Sequence, residues 1–475
     1  MNKGIKPKIG INIGATFDIP SSAIVTGSKG ETIFNGGLGQ ITGIVGTGNN
    51  FKSTIMHYMM FAGANTINAT KETGCSLYDT EVNISPERLE ELSSNFKYLP
   101  EDVIFGENPF VFVTDKTQYA GDEWMNELKG ILREKVKNKS NLTEFTGLIN
   151  KNTKKPTQDY VPSFIEIDSL SEFESAVTMD MIDKSKKDDS SNNTLFMKQG
   201  LYKTKMISEL PLMANMGNNF FLVTAHVGEA GPVMDKYNQP TKKLQHMKSA
   251  DKLKGVSPKF FFLTTQAYMA HTASLLKNQT TKLAEFPKSK EDIMETDLNV
   301  VKLTMLRNKT GASGFTLDIV VSQTDGVLPT LTEFLNIKNR DRYGITGNNI
   351  SYQIAIYPDV NLSRTTVRRK IDEDPKLRRA INIVSEMCQL EKFQNNYLTR
   401  NDLKITPEEL YVKIKEQGYD WDVLLDTRGW MAIDNYSKDL PEYLNTIDLL
   451  KMAKGEYRPY WYDKKIKEIG LVDGK

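Results

Sequence analysis

The sequence predicts an α/β fold, a mostly parallel central sheet flanked by helices, with a mainly helical region after it. Three features carry this expectation. Short apolar runs of strand length recur between stretches with helical spacing. One such run leads through a glycine-rich turn straight into an apolar helix, in ITGIVGTGNNFKSTIMHYMM. Beyond about Ile337 the texture turns charged and amphipathic, as in VRRKIDEDPKLRRAINIVSEMCQLEKF and TPEELYVKIKEQGYDWDVLL. A chain of 475 residues is long enough for two or three domains. The expected division is an arm over 1–30, an α/β core over 31–337 and a mainly helical domain over 338–475.

In chain order, Ile41 to Val45 forms the first strand, and the apolar spacing of STIMHYMMFAGANTINA makes the helix after the turn. CSLYDTEV is a short strand ending in acids. SPERLEELSSNF is a helix, with Ser85 at the N-cap and Pro86 in the first turn. Residues 108–160 yield only a helix near Glu123 to Lys137 and a polar loop. FIEIDSL, NFFLVTAHV and FFFLTTQAYMAH read as buried strands, and LNVVKLTMLRN with GFTLDIVVSQ reads as a late hairpin. Alternating strands and helices imply a mainly parallel sheet with antiparallel additions.

Bulk composition excludes several function classes. Sixty-one basic residues balance 60 acidic ones, so no global field attracts a polyanion, and nucleic-acid contact would need local patches. Cys75 and Cys388 alone make neither a disulfide framework nor a zinc site, which points to a reducing compartment. No apolar run approaches the roughly 18 residues of a membrane span, and the N-terminus lacks a signal-peptide core. The expectation is a soluble, cytoplasmic protein with no membrane partner.

The chemistry concentrates at Gly46, Thr47, Gly48, Asn49, Asn50, Phe51, Lys52, Ser53 and Thr54. This stretch matches the phosphate-binding pattern G-x-x-x-x-G-K-[ST] except for Phe51 in place of the second glycine. Gly46 and Gly48 can turn backbone amides toward an anion at the start of a helix. Lys52 would then reach the terminal phosphates and Ser53 would hold Mg²⁺. An ordinary right-handed backbone just before the lysine would tolerate a side chain there. Asp168, at the end of FIEID, supplies a carboxylate for the Mg²⁺ side. Glu81, after the neighbouring strand, occupies the position of a base that activates water. The alternative reading of the same residues is a glycine-rich turn with a surface lysine and solvated strand-end acids.

Taken in order, GTGNNFKS, LYDTEVNIS, FIEIDSL, LVTAHV and MLRNKTG resemble the RecA-like recombinases, most closely the phage UvsX group, over about residues 20–340. That group carries Phe-Lys-Ser in its phosphate loop, so Phe51 looks like a subfamily signature. The resemblance implies a RecA-like P-loop ATPase core that uses ATP and Mg²⁺, with Lys52 and Ser53 as phosphate and metal ligands and Asp168 on the metal. It implies Glu81 as catalytic base and His226 as the residue that senses the γ-phosphate and signals to DNA-binding loops. Arg307 and Lys309 match residues that reach the nucleotide of a neighbouring subunit.

The same likeness implies two mobile DNA-binding loops. Lys184, Lys186, Lys187 and Lys198 follow Asp168; Lys242, Lys243, Lys248, Lys252 and Lys254 follow His226, and all could neutralise phosphates without reading sequence. The implied function is a DNA-dependent ATPase, phage-encoded and working in the host cytoplasm. It would form filaments on single-stranded DNA, engage double-stranded DNA, and drive homologous pairing and strand exchange in recombination and repair. A mediator or loader protein is a further expected partner. Two departures stand beside the likeness: the arm lacks the small helical domain that UvsX-like proteins use to polymerise, and the tail is not strongly acidic. GINIGATF is therefore expected to add as a strand to a neighbour's sheet, and Arg364, Arg368 and Arg369, behind a Ser363 cap, are candidates for duplex DNA. The competing readings are a replicative helicase motor on the same core, and a nucleotide-binding recombination mediator without turnover.

Overall fold

A computed structural model describes residues 8–150, 152–184, 191–229, 244–247, 251–257, 259–289 and 291–470. Its centre is an eleven-stranded mixed sheet. The main strands are β1 (Ile41–Gly46), β2 (Cys75–Asp79), β3 (Val111–Asp115), β4 (Ser163–Asp168), β5 (Asn219–Glu229), β6 (Gln266–Ala270), β7 (Leu298–Asn308), β8 (Thr316–Ser322) and β9 (Gly326–Val327). Across the sheet they run in the order β9-β8-β7-β6-β1-β5-β4-β2-β3. The strands from β6 to β3 are mutually parallel, and β7, β8 and β9 extend the sheet in antiparallel fashion. The central strands are buried on both faces, which is why they read as continuous apolar runs rather than as alternating ones.

Register places the functional ends together. Gly46 pairs with His226 across β1 and β5, and Asp79 with Asp168 across β2 and β4. These are all carboxyl ends of parallel strands, the edge at which open α/β sheets bind ligands. The helix Lys52–Asn68 leaves β1 directly, and its core residues, among them Ile55, Met59 and Phe61, pack under the sheet. Ser85 caps the helix Pro86–Ser93 by accepting from Arg88 N at 3.2 Å, as its sequence position requires.

Several elements differ from the sequence expectation. FFFLTTQAYMAH divides into a helix, Lys259–Leu263, and the strand β6; a short apolar run cannot by itself separate a strand from a buried helical turn. Residues 108–160 hold the edge strand β3 and an antiparallel pair, Thr143–Ile149 with Pro156–Tyr160. The segment after Asp168, expected as a long polar loop, is largely helical, over Ala176–Lys184 and Ser191–Asn215.

The arm is occupied within its own chain. Ile9, Ile11, Ile13 and Phe17 are buried in the core, and Ala15–Ser21 is a helix. Asn12 Nδ2 donates to Phe34 O at 3.0 Å while its Oδ1 accepts from Met431 N at 2.8 Å. Leu38 N donates to Ile11 O at 2.9 Å. GINIGATF thus spends its apolar face and much of its hydrogen bonding at home and is not a free strand.

Residues 338–470 open with a three-stranded antiparallel sheet, Ile345–Gly347, Tyr352–Ile354 and Tyr357–Leu362, before turning helical. Most of their buried apolar residues share one cluster with Ile19, Phe34, Phe286 and Phe334 from earlier in the chain, while Met431, Ile433 and Tyr443 join the cluster of the helix Lys52–Asn68. No helix among the described residues is long and apolar enough to cross a membrane.

Candidate functional site

The loop after β1 turns through two left-handed residues, Asn49 at φ 56° and Phe51 at φ 56°, ψ 23°. This corrects the expectation of a right-handed backbone at Phe51. The position keeps the conformation that a glycine would adopt freely, at a cost of about 1–2 kcal/mol for a side chain. The Phe51 ring is half-buried against the core beneath the sheet, and that burial offsets part of the strain. At Gly48 an added Cβ would meet nothing within 4 Å, so the loop tip faces open space, whereas at Gly46 it would lie 2.6 Å from Ala270 O.

Lys52 opens the helix and is buried. Its Nζ folds back to donate to Thr47 O at 2.7 Å, and Asn50 Nδ2 donates to Thr47 Oγ1 at 2.7 Å. Burial lowers the Lys52 pKa, an effect only partly countered by the nearby Asp168 and Glu81 carboxylates. Ser53 and Thr54 lie half-buried in the first helical turn.

Glu81 is positioned by Asp79. The buried Asp79 carboxylate accepts from the backbone N–H groups of Glu81, Val82, Asn83 and Ile84, each at 2.9 Å, and so winds the chain into a tight loop beyond β2. Thr80 anchors that loop to the next strand: its N donates to Asp168 O at 2.8 Å and its Oγ1 to Ser169 O at 2.7 Å. Glu81 Oε1 then meets His226 Nε2 at 2.7 Å and accepts from Ser169 Oγ at 3.0 Å. Burial pushes the Glu81 pKa up, but the hydrogen bonds from His226 and Ser169 outweigh it and hold the carboxyl below its usual range. It is therefore ionised at neutral pH, as a proton acceptor must be.

Asp168 is buried and accepts from Thr224 Oγ1. Lys52, Glu81, Asp168 and His226 thus gather on one edge from four elements. A buried lysine ammonium, an ionised carboxylate, a buried aspartate and an imidazole are thereby brought to one end of the parallel strands.

Sequence reasoning missed two contributors. Asp79 read only as one of several acids in YDTE, yet it shapes the loop that carries Glu81. Beneath the site, His57 Nδ1 lies 2.9 Å from Glu166 Oε1, close but poorly aligned for a hydrogen bond. Burial pushes Glu166 up, and its contact with Glu166 raises His57 against the opposing effect of burial. With Asp168 these two form a compact group, one ligand atom from each lying within 4.8 Å of the others. The legible signal was an acid in the middle of FIEID, an otherwise apolar buried strand.

Other expected residues lie elsewhere. Arg307 and Lys309 sit at the opposite edge of the sheet: Arg307 Nε donates to Thr264 O at 3.1 Å, and Lys309 N to Thr265 O at 3.0 Å. Arg307 is level with Gly43, three register steps from Gly46, about 10 Å at about 3.3 Å per residue. Neither side chain belongs to this chain's own Lys52 site. Lys252 is exposed on the short strand Asp251–Leu253 that pairs with β5; Lys254, exposed just after it, donates its N–H to His226 O at 2.9 Å. Lys184 and Lys198 lie on the helices after Asp168. Lys186, Lys187, Lys242, Lys243 and Lys248 lie outside the described residues.

Arg368 is not available to a duplex. It is buried in a double ion pair, with Nη1 2.7 Å from Asp297 Oδ1 and Nη2 2.8 Å from Asp325 Oδ2. Nor does Ser363 cap that helix by its side chain; the helix Val367–Glu373 begins after Thr366. No family model matches this chain, and no curated protein matches it.

Proposed function

We propose that this chain is an ATP- and Mg²⁺-dependent DNA recombinase with a RecA-like core, which polymerises on single-stranded DNA and promotes homologous pairing and strand exchange. The observation that carries the reading is the convergence of Lys52, Glu81, Asp168 and His226 on one sheet edge, with Glu81 hydrogen-bonded to His226 at 2.7 Å. Such an edge is where ligands of open α/β sheets sit.

The loop from Gly46 to Thr54 wraps the triphosphate with backbone amides, and Lys52 neutralises its terminal charge. Ser53 and Asp168 would hold Mg²⁺, which neutralises charge shared between phosphates. Glu81 accepts the proton of the attacking water, and His226 orients that carboxylate from the neighbouring strand. Because Arg307 and Lys309 lie across the sheet, they would serve only the nucleotide of an adjacent subunit, which makes turnover depend on assembly.

A route from the nucleotide to DNA is supported by two connections. His226 is tied through the backbone to Lys254, and its N donates to Ser171 Oγ at 2.8 Å, while Lys203 on the helix Ser191–Asn215 donates to Ser171 O. A change at Glu81 therefore has a mechanical path to both lysine-rich segments. The test combines ATP turnover, with and without single-stranded DNA, with negative-stain microscopy on a slowly hydrolysed ATP analogue. Helical filaments with DNA-stimulated turnover are expected. Closed rings would replace the reading with a helicase motor, and isolated particles without turnover with a mediator.

A further inference from the structure

Far from the Lys52 edge, a cavity of about 230 Å³ opens between the helix Pro329–Asn339, the three-stranded sheet and the segment around Glu285. Three cations line it, Lys338, Arg342 and Arg364, against a single carboxylate, Glu285. Lys338 pairs with Glu285. The two arginines have no carboxylate partner among the described residues. Arg342 Nη2 donates to Gly347 O at 3.0 Å and Asn348 O at 3.1 Å, and Arg364 Nη1 to Ala284 O. Two guanidinium charges are thus held in place by neutral carbonyls and left uncompensated.

The lining of the cavity carries a second, independent mark. Tyr352 is 4% exposed, its ring stacks on Phe334 at 6.0 Å, and its hydroxyl has no hydrogen-bond partner. A buried phenol without a partner costs stability unless something else satisfies it. A donor hydroxyl beside two uncompensated guanidiniums is suited to a tetrahedral oxyanion, since arginine binds phosphate oxygens in a forked geometry.

We propose that this cavity binds the phosphate group of a small phosphate monoester, with Arg342 and Arg364 neutralising its charge and the Tyr352 hydroxyl donating to an oxygen. The recess favours a free small molecule over a nucleic-acid strand, because Tyr352 is almost fully buried and the cavity is walled by Phe334 and Ile345. This site is independent of the recombinase reading.

The test is calorimetric titration of the full chain with inorganic phosphate and ribose 5-phosphate. A Lys52→Ala background removes the phosphate loop's own binding. Saturable one-to-one binding is expected there, weakened by tenfold or more in Arg364→Gln and by about tenfold in Tyr352→Phe. Tyr352→Phe should melt no lower than its parent without ligand, a combination that a purely structural hydroxyl would not produce. No saturable binding in the Lys52→Ala protein, or an affinity in both cavity variants equal to that of the Lys52→Ala parent, overturns the proposal. So does Arg364-dependent binding of a single-stranded oligonucleotide when neither small ligand binds.

Discussion

Two regions of this molecule place acids against a basic side chain at the sheet, and they are built to opposite ends. In the knot of Asp297, Arg368 and Asp325, the Arg368 side chain is 6% exposed and its guanidinium meets carboxylates through both terminal nitrogens, at 2.7, 2.9 and 2.8 Å. At the carboxyl edge, Glu81 and His226 are 27% and 24% exposed, and the Lys52 ammonium is held by a carbonyl rather than by a carboxylate. The knot satisfies its charges inside the chain. The edge leaves its charged groups partly exposed and the Lys52 ammonium without a carboxylate partner. Residue type alone cannot tell the two apart, which is why Arg368 looked like a DNA contact in the sequence and is a structural clamp in the fold.

The largest expected effect sharpens this contrast on the edge. Glu81→Gln should lower DNA-stimulated ATP turnover by about 10²–10⁴-fold while moving the unfolding midpoint little, since a half-exposed carboxamide can keep the contact with His226. Turnover within threefold of wild type would remove Glu81 from the role of base.

The next effect tests whether the edge rests on a buried foundation. His57→Ala leaves the Glu166 carboxylate buried without its partner and should cost about 3–5 kcal/mol in denaturant unfolding. The double replacement His57→Leu with Glu166→Leu should recover most of that loss, because it removes both buried polar groups together. A single-variant cost below about 1 kcal/mol would show that the pair carries no such load.

In the knot, Arg368→Ala should cost about 2 kcal/mol, the scale of charge-assisted hydrogen bonds with partly solvated acids, and leave turnover per folded molecule unchanged. A fall in turnover without a fall in stability would break the comparison.

Acid then probes the knot specifically. Burial alone would raise Asp297, but its hydrogen bonds with Arg368 prevail and depress the carboxyl to about 2. Its contribution is therefore complete above the ordinary carboxylate pKa of about 3.9 and is lost as pH falls from there through about 2. Urea unfolding between pH 5 and pH 2 should show a shallower loss of stability in Asp297→Asn than in the parent.

The smallest expected effect is at Phe51→Gly. Relief of the left-handed backbone and loss of a half-buried ring oppose each other, so stability should shift by no more than about 1 kcal/mol. A large loss would mean that the ring, rather than the backbone, governs the loop.

Much of the scaffold was legible because it is written locally. β1, β2, β4 and β5 follow from short apolar runs with punctuating glycines and acids, the β7–β8 hairpin from two such runs in succession, and the Ser85 cap from a serine ahead of a proline. The placement of Lys52, Glu81 and Asp168 near strand ends was legible for the same reason, whereas His226 was singled out only by the family resemblance. What remained hidden depends on neighbours distant in the chain. Nothing local to Asp79 says that four amides will fold onto its carboxylate, and nothing local to His57 says that Glu166 will face it from a strand more than 100 positions away.

By itself, then, the sequence determined where strands, turns and helix starts fall and which side chains stand at strand ends, because those depend on period and backbone preference within a few residues. Only the tertiary structure decided that β1 lies between β5 and β6 with Gly46 level with His226, that Arg307 faces the opposite edge, and that Arg368 is neutralised. Those outcomes depend on strand order and register, and a charge becomes a site or a clamp according to which partners that register brings within hydrogen-bonding reach.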